Sequence, residues 1–309
     1  MTPSDVAGVF SRYFIVGFFV PAFFALAVLA FGLSDDTLPN AFEGYSAGAQ
    51  IAIVGAVALL IGLALLGVNY QLLRVFEGYP LVKRKEKDWV KPLHDWLIER
   101  QRRRYDRLVA LSDQVGPEGD EAAWLLDRYF SEDPRKRLLP TAFGNAVRAF
   151  ERHSLTRWGL DGVAVWPRIE MLMDEQQREI EADARGGVGF FVNGALLALI
   201  AGVTLLADLI INRETAWYLV WLYVLPFGLA YAAYRGSIGA AIGWGSSVRA
   251  AIDLTRLTLY DELGVRRPLN FEDERQAVAP AVSRCFLYAE PLSGELWGEP
   301  SAKEEEEEE

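Results

Sequence analysis

Four long apolar stretches constrain the fold of this chain more than any other feature of its sequence. They occupy residues 13–34, 48–73, 186–210 and 216–235, and charged residues occur only near the ends of the last two. The hydrocarbon core of a bilayer is about 30 Å thick, and a helix of about 20 apolar residues crosses it. The sequence therefore predicts an all-α integral membrane protein with four transmembrane helices in two hairpins.

The polar segments around these spans predict the domain organisation. Residues 74–185, between spans 2 and 3, have apolar residues at helical spacing and predict an inserted helical cytoplasmic domain. Residues 236–288 predict a second helical cytoplasmic region. Residues 289–309 hold nine Glu and one Lys and predict a disordered acidic tail. That tail accounts for −8 of the net charge of −11, so the rest of the chain is nearly neutral.

The distribution of Lys and Arg predicts the orientation, because bases are enriched on the cytoplasmic side of a membrane. Residues 35–47 contain three acids and no base, whereas six bases occur between residues 74 and 91. We therefore expect the loops 35–47 and 211–215 outside and both termini, including residues 1–12, in the cytoplasm of a bacterium, with the spans in its inner membrane. A cleaved signal peptide is the alternative for the first span, because Ala25-Leu26-Ala27 matches a cleavage pattern, but its apolar run exceeds a normal signal core.

The chain has few of the residues that common metal, redox and transport sites require. It contains one cysteine, Cys285, and two histidines, which excludes an intramolecular disulfide and a Cys/His metal site. No ionisable residue lies in the middle of a predicted span, which argues against an ion-coupled transporter. We therefore expect no metal and no cofactor.

Small residues recur at helix-packing spacing within and after the spans. Gly or Ala at intervals of four residues allows two helices to approach closely in a bilayer. The predicted helix-packing residues are Gly194, Ala198, Gly202, Gly236, Gly239 and Gly243. The pattern fits packing among the helices of one chain, an interface between subunits, or the lining of a pore.

A run of bases opens the predicted cytoplasmic domain. Residues 83–107 contain ten bases and five acids. Bases close to a membrane attract anionic lipid headgroups, by about 1 kcal/mol each. The candidate headgroup contacts are Lys83, Arg84, Lys85, Arg102, Arg103 and Arg104. A solvated helix face is the alternative, and the interleaved acids argue against nucleic-acid binding.

Farther along this domain, polar residues form a dense cluster. The candidate ligand or partner residues are Asn145, Arg148, Glu151, Arg157, Asp161 and Arg168, with Arg152 and His153 between them. Charged residues one helical turn apart often brace helices, and no G-x-S-x-G or H-E-x-x-H signature occurs in the chain. Bracing, a ligand or headgroup site, and catalysis all remain open, and no catalytic residue is assigned.

Local signals predict how the cluster folds. Thr141 is expected to cap a helix that runs to about His153. Gly159 is then expected to break the helical structure. Asp161 is expected to cap a second short helix that ends before Trp166-Pro167.

The cluster also carries a resemblance to other proteins. The residues concerned are Gly144-Asn145, Arg148-Ala149, Glu151, Arg157, Gly159, Asp161 and Trp166-Pro167-Arg168, followed by Asp253-Leu254, Arg256, Leu259-Tyr260, Pro268, Glu274-Arg275 and Leu287-Tyr288. In this pattern the chain resembles a group of uncharacterised bacterial membrane proteins with four spans, which tend to have Tyr in place of Trp158. The resemblance implies the four-span architecture and no particular activity.

These observations favour a non-enzymatic function. Small-residue ridges, helices that extend inward from spans 3 and 4, and the missing catalytic signature predict an oligomeric scaffold, anchor or regulated pore, with stress or phage defence as a hypothetical setting. The expected partners are the lipid bilayer, further copies of the chain and a cytoplasmic protein. The alternative is a membrane-bound enzyme, or a lipid- or ligand-binding protein, that uses the cluster from Asn145 to Arg168.

Overall fold

The computed structural model of this protein describes residues 11–33, 44–130, 138–212 and 220–297. Within these ranges the chain is helical and contains no β-strand, although an isolated antiparallel bridge joins Val265 to Trp297. The prediction of an all-α fold is confirmed.

The helices vary from single turns to very long rods. In chain order they are α1 (Arg12–Phe14), the π-helix π1 (Ile15–Phe19), α2 (Val20–Gly32), α3 (Ala47–Gly67), α4 (Asn69–Phe76), α5 (Tyr79–Lys83), α6 (Lys91–Ser112), α7 (Pro117–Tyr129), α8 (Ala142–Glu151), α9 (His153–Trp158), α10 (Gly162–Leu172), α11 (Glu175–Asn212), α12 (Val220–Glu262), α13 (Phe271–Asp273), the π-helix π2 (Glu274–Val278), α14 (Ala279–Tyr288) and a 3-10 turn (Gly294–Leu296).

The chain divides into two compact units. The first unit comprises Met1–Pro80 and Ala182–Ala241, and the second comprises Leu81–Glu181 and Ile242–Glu309. The helices α11 and α12 are 38 and 43 residues long, and each contributes residues to both units. Each unit is therefore assembled from two separate parts of the sequence.

Three helical stretches are long and apolar enough to cross a membrane, which indicates a membrane protein. They are Arg12–Ala30, Ala47–Gly67 and Glu175–Ile211, and they correspond to the first three predicted spans. The fourth predicted span, residues 216–235, lies partly outside the described residues, because α12 is described from Val220 onward. A fourth span therefore stays a prediction.

Two of the predicted spans have different ends in the structure. The second was expected over residues 48–73, but α3 ends at Gly67, and Val68 adopts φ −105° and ψ 8° before α4 begins. Glycine has a low helix propensity, which favours an interruption at this position. The third span, expected over residues 186–210, is part of α11, which continues without a break through Gly186 and beyond.

Within the first unit, π1 packs closely against α11. A Cβ atom added to Gly17 in π1 would lie 3.3 Å from the carbonyl oxygen of Gly186. The fully buried Asn193 donates a hydrogen bond from Nδ2 to the carbonyl oxygen of Gly17 at 2.8 Å. Polar groups in an apolar environment are costly unless they are paired, so this bond stabilises the contact. The buried core beside it contains Phe14, Phe18, Ala22, Ala58, Leu65 and Leu197.

The second unit is built around α8, in which eight of ten residues are buried. Its first turn is capped as predicted, because Thr141 Oγ1 accepts a hydrogen bond from the N–H of Gly144 at 3.0 Å. The ring of Phe150 packs edge-to-face on Trp244 with 4.9 Å between centroids. A Cβ atom added to Gly245 would lie 2.5 Å from Phe150, so this glycine allows α8 and α12 to pack closely.

The two short helices after α8 follow the sequence prediction at their junction. Gly159 has φ 78°, a left-handed conformation that favours glycine, and it ends α9. Asp161 Oδ1 then accepts a hydrogen bond from the N–H of Ala164 at 3.0 Å and caps α10. These signals are local in sequence, which is why they could be predicted.

The predicted end of the second helix before Pro167 is wrong. The helix α10 includes Pro167 and continues to Leu172. A proline inside a helix removes one backbone hydrogen bond. Val165 and Ile169 are fully buried on one face of α10, and the burial of these side chains across the proline outweighs that loss.

Candidate functional site

A cavity of about 520 Å³ within the second unit brings charged and aromatic side chains together. Its lining, here called the polar cavity, consists of Tyr105, Leu126, Asp127, Phe130, Ala149, His153, Thr156, Arg157, Arg249, Phe271 and Arg275. These residues come from α6, α7, α8, α9, α12, α13 and π2, together with Phe130 at the end of α7. Binding sites for small molecules commonly have volumes of about 300–1,000 Å³.

Arg249 is the most buried charged residue of the polar cavity, with 6% of its surface exposed. Its Nη2 donates to the backbone carbonyl of Asp127 at 2.8 Å, and its Nη1 forms an ion pair with the Asp127 carboxylate. Burial lowers the pKa of the Arg249 guanidinium, and the charge of Asp127 opposes this effect. The remaining donor, Nε, is buried and has no hydrogen-bond partner among the described residues.

His153 lines the same cavity as this guanidinium. Burial, and secondly the charge of Arg249, lower the pKa of His153 from its ordinary 6.5, so the imidazole is neutral at pH 7. Its Nε2 is 3.5 Å from Asp253 Oδ2 and is buried without a hydrogen bond to any described residue. A neutral imidazole can donate or accept a hydrogen bond, depending on the tautomer.

Next to His153, several polar side chains lie along one face of α12. Asp253 Oδ1 accepts a hydrogen bond from Trp158 Nε1 at 2.6 Å. The guanidinium of Arg256 lies over the Trp158 ring, 3.6 Å from its centroid. These contacts fix Asp253 and Trp158, which lie next to the polar cavity rather than in its lining.

The polar side chains along this face of α12 extend to the buried carboxylate of Glu274. Arg256 Nε donates to Glu274 Oε1 at 2.9 Å, and the Tyr260 hydroxyl donates to the same oxygen at 3.2 Å. Burial, and secondly the charge of Glu274, raise the pKa of Tyr260, so its hydroxyl stays protonated. Glu274 directly precedes Arg275 of the polar cavity, and these bonds therefore hold π2 in place.

The rim of the polar cavity carries two further cations. Arg157 and Arg275 are exposed, and neither has an acidic partner among the described residues. Arg157 lies 5.1 Å from the centroid of Trp158, and Phe271 meets the same ring edge-on at 5.7 Å. With Arg249, the lining contains three guanidinium groups and one carboxylate, so it has an excess of positive charge.

Of the six candidates predicted in the Asn145 to Arg168 cluster, only Arg157 lines the polar cavity. Asn145 instead supports the backbone before α8: its Oδ1 accepts from the N–H of Leu139 at 2.8 Å, and its Nδ2 donates to the carbonyl of Thr141 at 2.9 Å. Arg148 and Glu151 lie in α8 outside the polar cavity.

The last two candidates of the cluster also have structural contacts. Asp161 caps α10, and its backbone N–H donates to Ser283 Oγ at 2.9 Å. Arg168 lies over the ring of Phe286, 3.8 Å from the centroid, and donates to the carbonyl of Ala164 at 3.1 Å.

The predicted headgroup contacts form two groups. Lys83, Arg84 and Lys85 lie at the end of α5 and after it, and all three are exposed. In α6, Arg102 and Arg103 both pair with Glu99, at 3.1 Å and 3.0 Å, and Arg104 lies over the ring of Tyr129.

The predicted packing glycines are also in different environments. A Cβ atom added to Gly202 would lie 3.0 Å from the Phe227 ring, and one added to Gly236 would lie 2.5 Å from the Phe191 ring. At Gly194, Gly239 and Gly243 an added Cβ atom would meet nothing within 4 Å. Gly194, Ala198 and Ala201 line an apolar cavity of about 420 Å³ in the first unit.

His153 was part of the predicted cluster, whereas the charged lining residues Asp127, Arg249 and Arg275 were not selected from the sequence. One signal was available: Arg249, Asp253, Arg256 and Tyr260 are spaced so that they share one face of a helix. The position of Asp127 had no comparable signal, because its partner lies 122 residues away.

The second unit shows no cluster of His, Cys, Asp and Glu that could hold a metal ion, and neither does the rest of the described chain. No protein-family profile matches this chain, and no curated protein or solved structure is significantly similar to it.

Proposed function

We propose that this protein is a non-enzymatic binding protein anchored in the bacterial inner membrane by four spans, with both termini in the cytoplasm. Its apolar helices hold it in the bilayer, and its second unit binds a small ligand in the polar cavity. The observation that carries this function is the buried guanidinium of Arg249, whose Nε has no partner among the described residues. Buried polar groups are normally hydrogen-bonded, and a bound ligand would supply the missing acceptor.

The composition of the lining favours binding over catalysis. The polar cavity has one carboxylate, Asp127, and that group is already paired with Arg249. Among its described residues the lining includes no serine or cysteine, and its aliphatic hydroxyl is Thr156, so pairing of Thr156 with His153 as general base belongs to the enzymatic alternative. A membrane-bound enzyme is the alternative, and product analysis distinguishes the two.

Association of several copies is the second part of the proposed function. Gly194 and Gly239 offer room for close approach of another helix, since an added Cβ atom would meet nothing within 4 Å. Native mass spectrometry of Gly194→Leu and Gly239→Leu should show weaker oligomers than the wild type. A wild-type protein that is monomeric in lipid contradicts this part.

Binding can be tested without knowing the ligand. The full-length protein in lipid nanodiscs is incubated with a bacterial metabolite extract, and retained compounds are identified by mass spectrometry. We expect at least one compound to be retained unchanged by the wild type and by Arg178→Gln, in which an exposed arginine outside the polar cavity is replaced. Arg275→Gln should retain less of it. Conversion of the compound supports the enzymatic alternative, and no retention by the wild type contradicts binding.

A further inference from the structure

We propose that the ligand of the polar cavity is a nucleotide, meaning a phosphate group joined through a sugar to a flat heteroaromatic ring. This identification rests on the proposed binding function and names the ligand class. Three separate features of the lining lead to it: its cations, its aromatic rings and its uncharged hydrogen-bonding groups.

The cations fit a phosphate group. Arg157, Arg249 and Arg275 line one cavity, in which Asp127 is the one carboxylate among the described lining residues, and Asp253 beside the lining also acts on Arg249. Guanidinium groups donate paired hydrogen bonds that match the geometry of phosphate oxygens. The unpartnered Nε of Arg249 supplies a buried donor, and the exposed Arg157 and Arg275 can close on the anion from the rim.

The aromatic rings fit a nucleobase. Tyr105, Phe130 and Phe271 line the same cavity. Phe130 meets Tyr105 edge-on at 5.3 Å between centroids, and Phe271 is half exposed while it contacts Trp158. Aromatic side chains bind bases by stacking on their faces, with little preference among bases. Inorganic phosphate alone would leave the half-exposed ring of Phe271 uncovered.

The uncharged polar groups fit the remaining parts of a nucleotide. Neutral His153 lines the cavity with its Nε2 3.5 Å from Asp253 Oδ2, and Thr156 adds a hydroxyl to the lining. Both can donate or accept hydrogen bonds, as the edge of a base and the hydroxyls of a sugar require. The cavity volume of about 520 Å³ lies in the range used for ligands of this size.

Calorimetric titration of the full-length protein in nanodiscs tests each feature separately. The probes are AMP, GMP, a cyclic dinucleotide, adenosine and inorganic phosphate. We expect at least one of the three nucleotides to bind, and we expect adenosine and inorganic phosphate to bind at least about tenfold more weakly, because each lacks one part of the recognised group. The three nucleotide probes distinguish a mononucleotide from a cyclic dinucleotide.

Variants then assign the contacts. Arg275→Gln should weaken nucleotide binding by about tenfold or more through the loss of a charge-assisted hydrogen bond. Phe271→Ala should weaken binding of the nucleotide by roughly tenfold through the loss of stacking. Arg178→Gln should bind like the wild type. Both Arg275 and Phe271 are exposed, so their replacement should leave the fold intact, which circular dichroism can verify.

Several outcomes would overturn the nucleotide assignment. Equal binding of adenosine and AMP would contradict the phosphate contacts, and equal binding of inorganic phosphate and AMP would contradict the role of the aromatic rings. If no nucleotide binds but a different metabolite is retained from the extract, the assignment fails while the proposed binding function stands. If neither experiment finds a ligand for the folded protein, both fail.

Discussion

The two units use buried polar side chains in different ways. In the first unit, Asn193 is fully buried among apolar helices and bonds a single backbone carbonyl, that of Gly17. In the second unit, buried charged side chains pair with other side chains, as Arg249 does with the exposed Asp127 and Glu274 with Arg256. Only Nδ2 of Asn193 has a hydrogen-bond partner among the described residues, whereas the second unit maintains a connected network of side chains. A connected network places charges where a ligand can reach them.

The largest effect on stability is expected from breaking this network. Arg256→Ala removes the partner of Glu274, a carboxylate that is only 4% exposed. An unpaired buried charge should lower the free energy of unfolding by about 3–5 kcal/mol, measured by denaturant unfolding of the purified protein. The double variant Arg256→Met with Glu274→Leu should recover much of the loss. A single variant as stable as the wild type would show that the network does not stabilise the second unit.

A smaller loss of stability is expected from replacing Gly159, a turn residue that lies next to this network. Alanine there would have to adopt φ 78°, and its Cβ would lie 2.5 Å from the carbonyl oxygen of Arg275. We expect Gly159→Ala to lower the free energy of unfolding by about 2–4 kcal/mol. Gly264→Ala is the matched control, because Gly264 has φ 65° but more space, and it should cost only about 1 kcal/mol. Equal losses would mean that the close contact with Arg275 is unimportant.

In the first unit, the corresponding experiment concerns close packing. Gly236→Ala places a Cβ 2.5 Å from the Phe191 ring and should destabilise the protein by about 1–3 kcal/mol in a thermal unfolding experiment in detergent. Gly228→Ala, eight residues earlier in α12, meets nothing within 4 Å. That control should be neutral or stabilising by up to about 1 kcal/mol, because alanine is the better helix former. The same loss in both variants would argue against specific packing at Gly236.

The smallest effect on the free energy of unfolding is expected from a change of pH, and its cause should lie in the second unit. The folded-state pKa of His153 is below 6.5, so at mildly acidic pH the unfolded chain binds more protons than the folded chain. The free energy of unfolding should therefore fall as the pH is lowered through 6.5, and this dependence should weaken in His153→Gln. Unfolding measured at pH 7 and pH 5 provides the comparison. His94→Gln, which removes the histidine outside the polar cavity, should keep the wild-type difference.

A region of the structure could be predicted from the sequence when the residues that determine it lie close together in the chain. The apolar stretches predicted four spans, and three of them are helices suited to cross a membrane, because length and composition are properties of one segment. The caps Thr141 and Asp161 could be predicted for the same reason. Pro167 misled the prediction, because the burial of Val165 and Ile169 is a tertiary property that outweighs a local breaker.

The candidate site could be predicted only in part. Arg157 belonged to the predicted cluster, but Asn145 and Asp161 in the same cluster bond backbone groups instead of lining the polar cavity. Arg249 and Arg275 are far from that cluster in sequence, and only the fold brings them to one cavity. Density of charge in the sequence was therefore a poor guide to a shared site.

The separation of Asp127 and Arg249 by 122 residues also sets an order on biosynthesis. The ribosome must finish α11 and most of α12 before Arg249 exists, and it reaches Arg275 later still. At about 5–20 residues per second, the cavity stays incomplete for roughly 6–25 s after Arg157 has been made. For most of that interval the nascent second unit lacks Trp244, on which Phe150 packs, and Arg249, which pairs with Asp127, so ligand binding can begin only once the later helices have been synthesised.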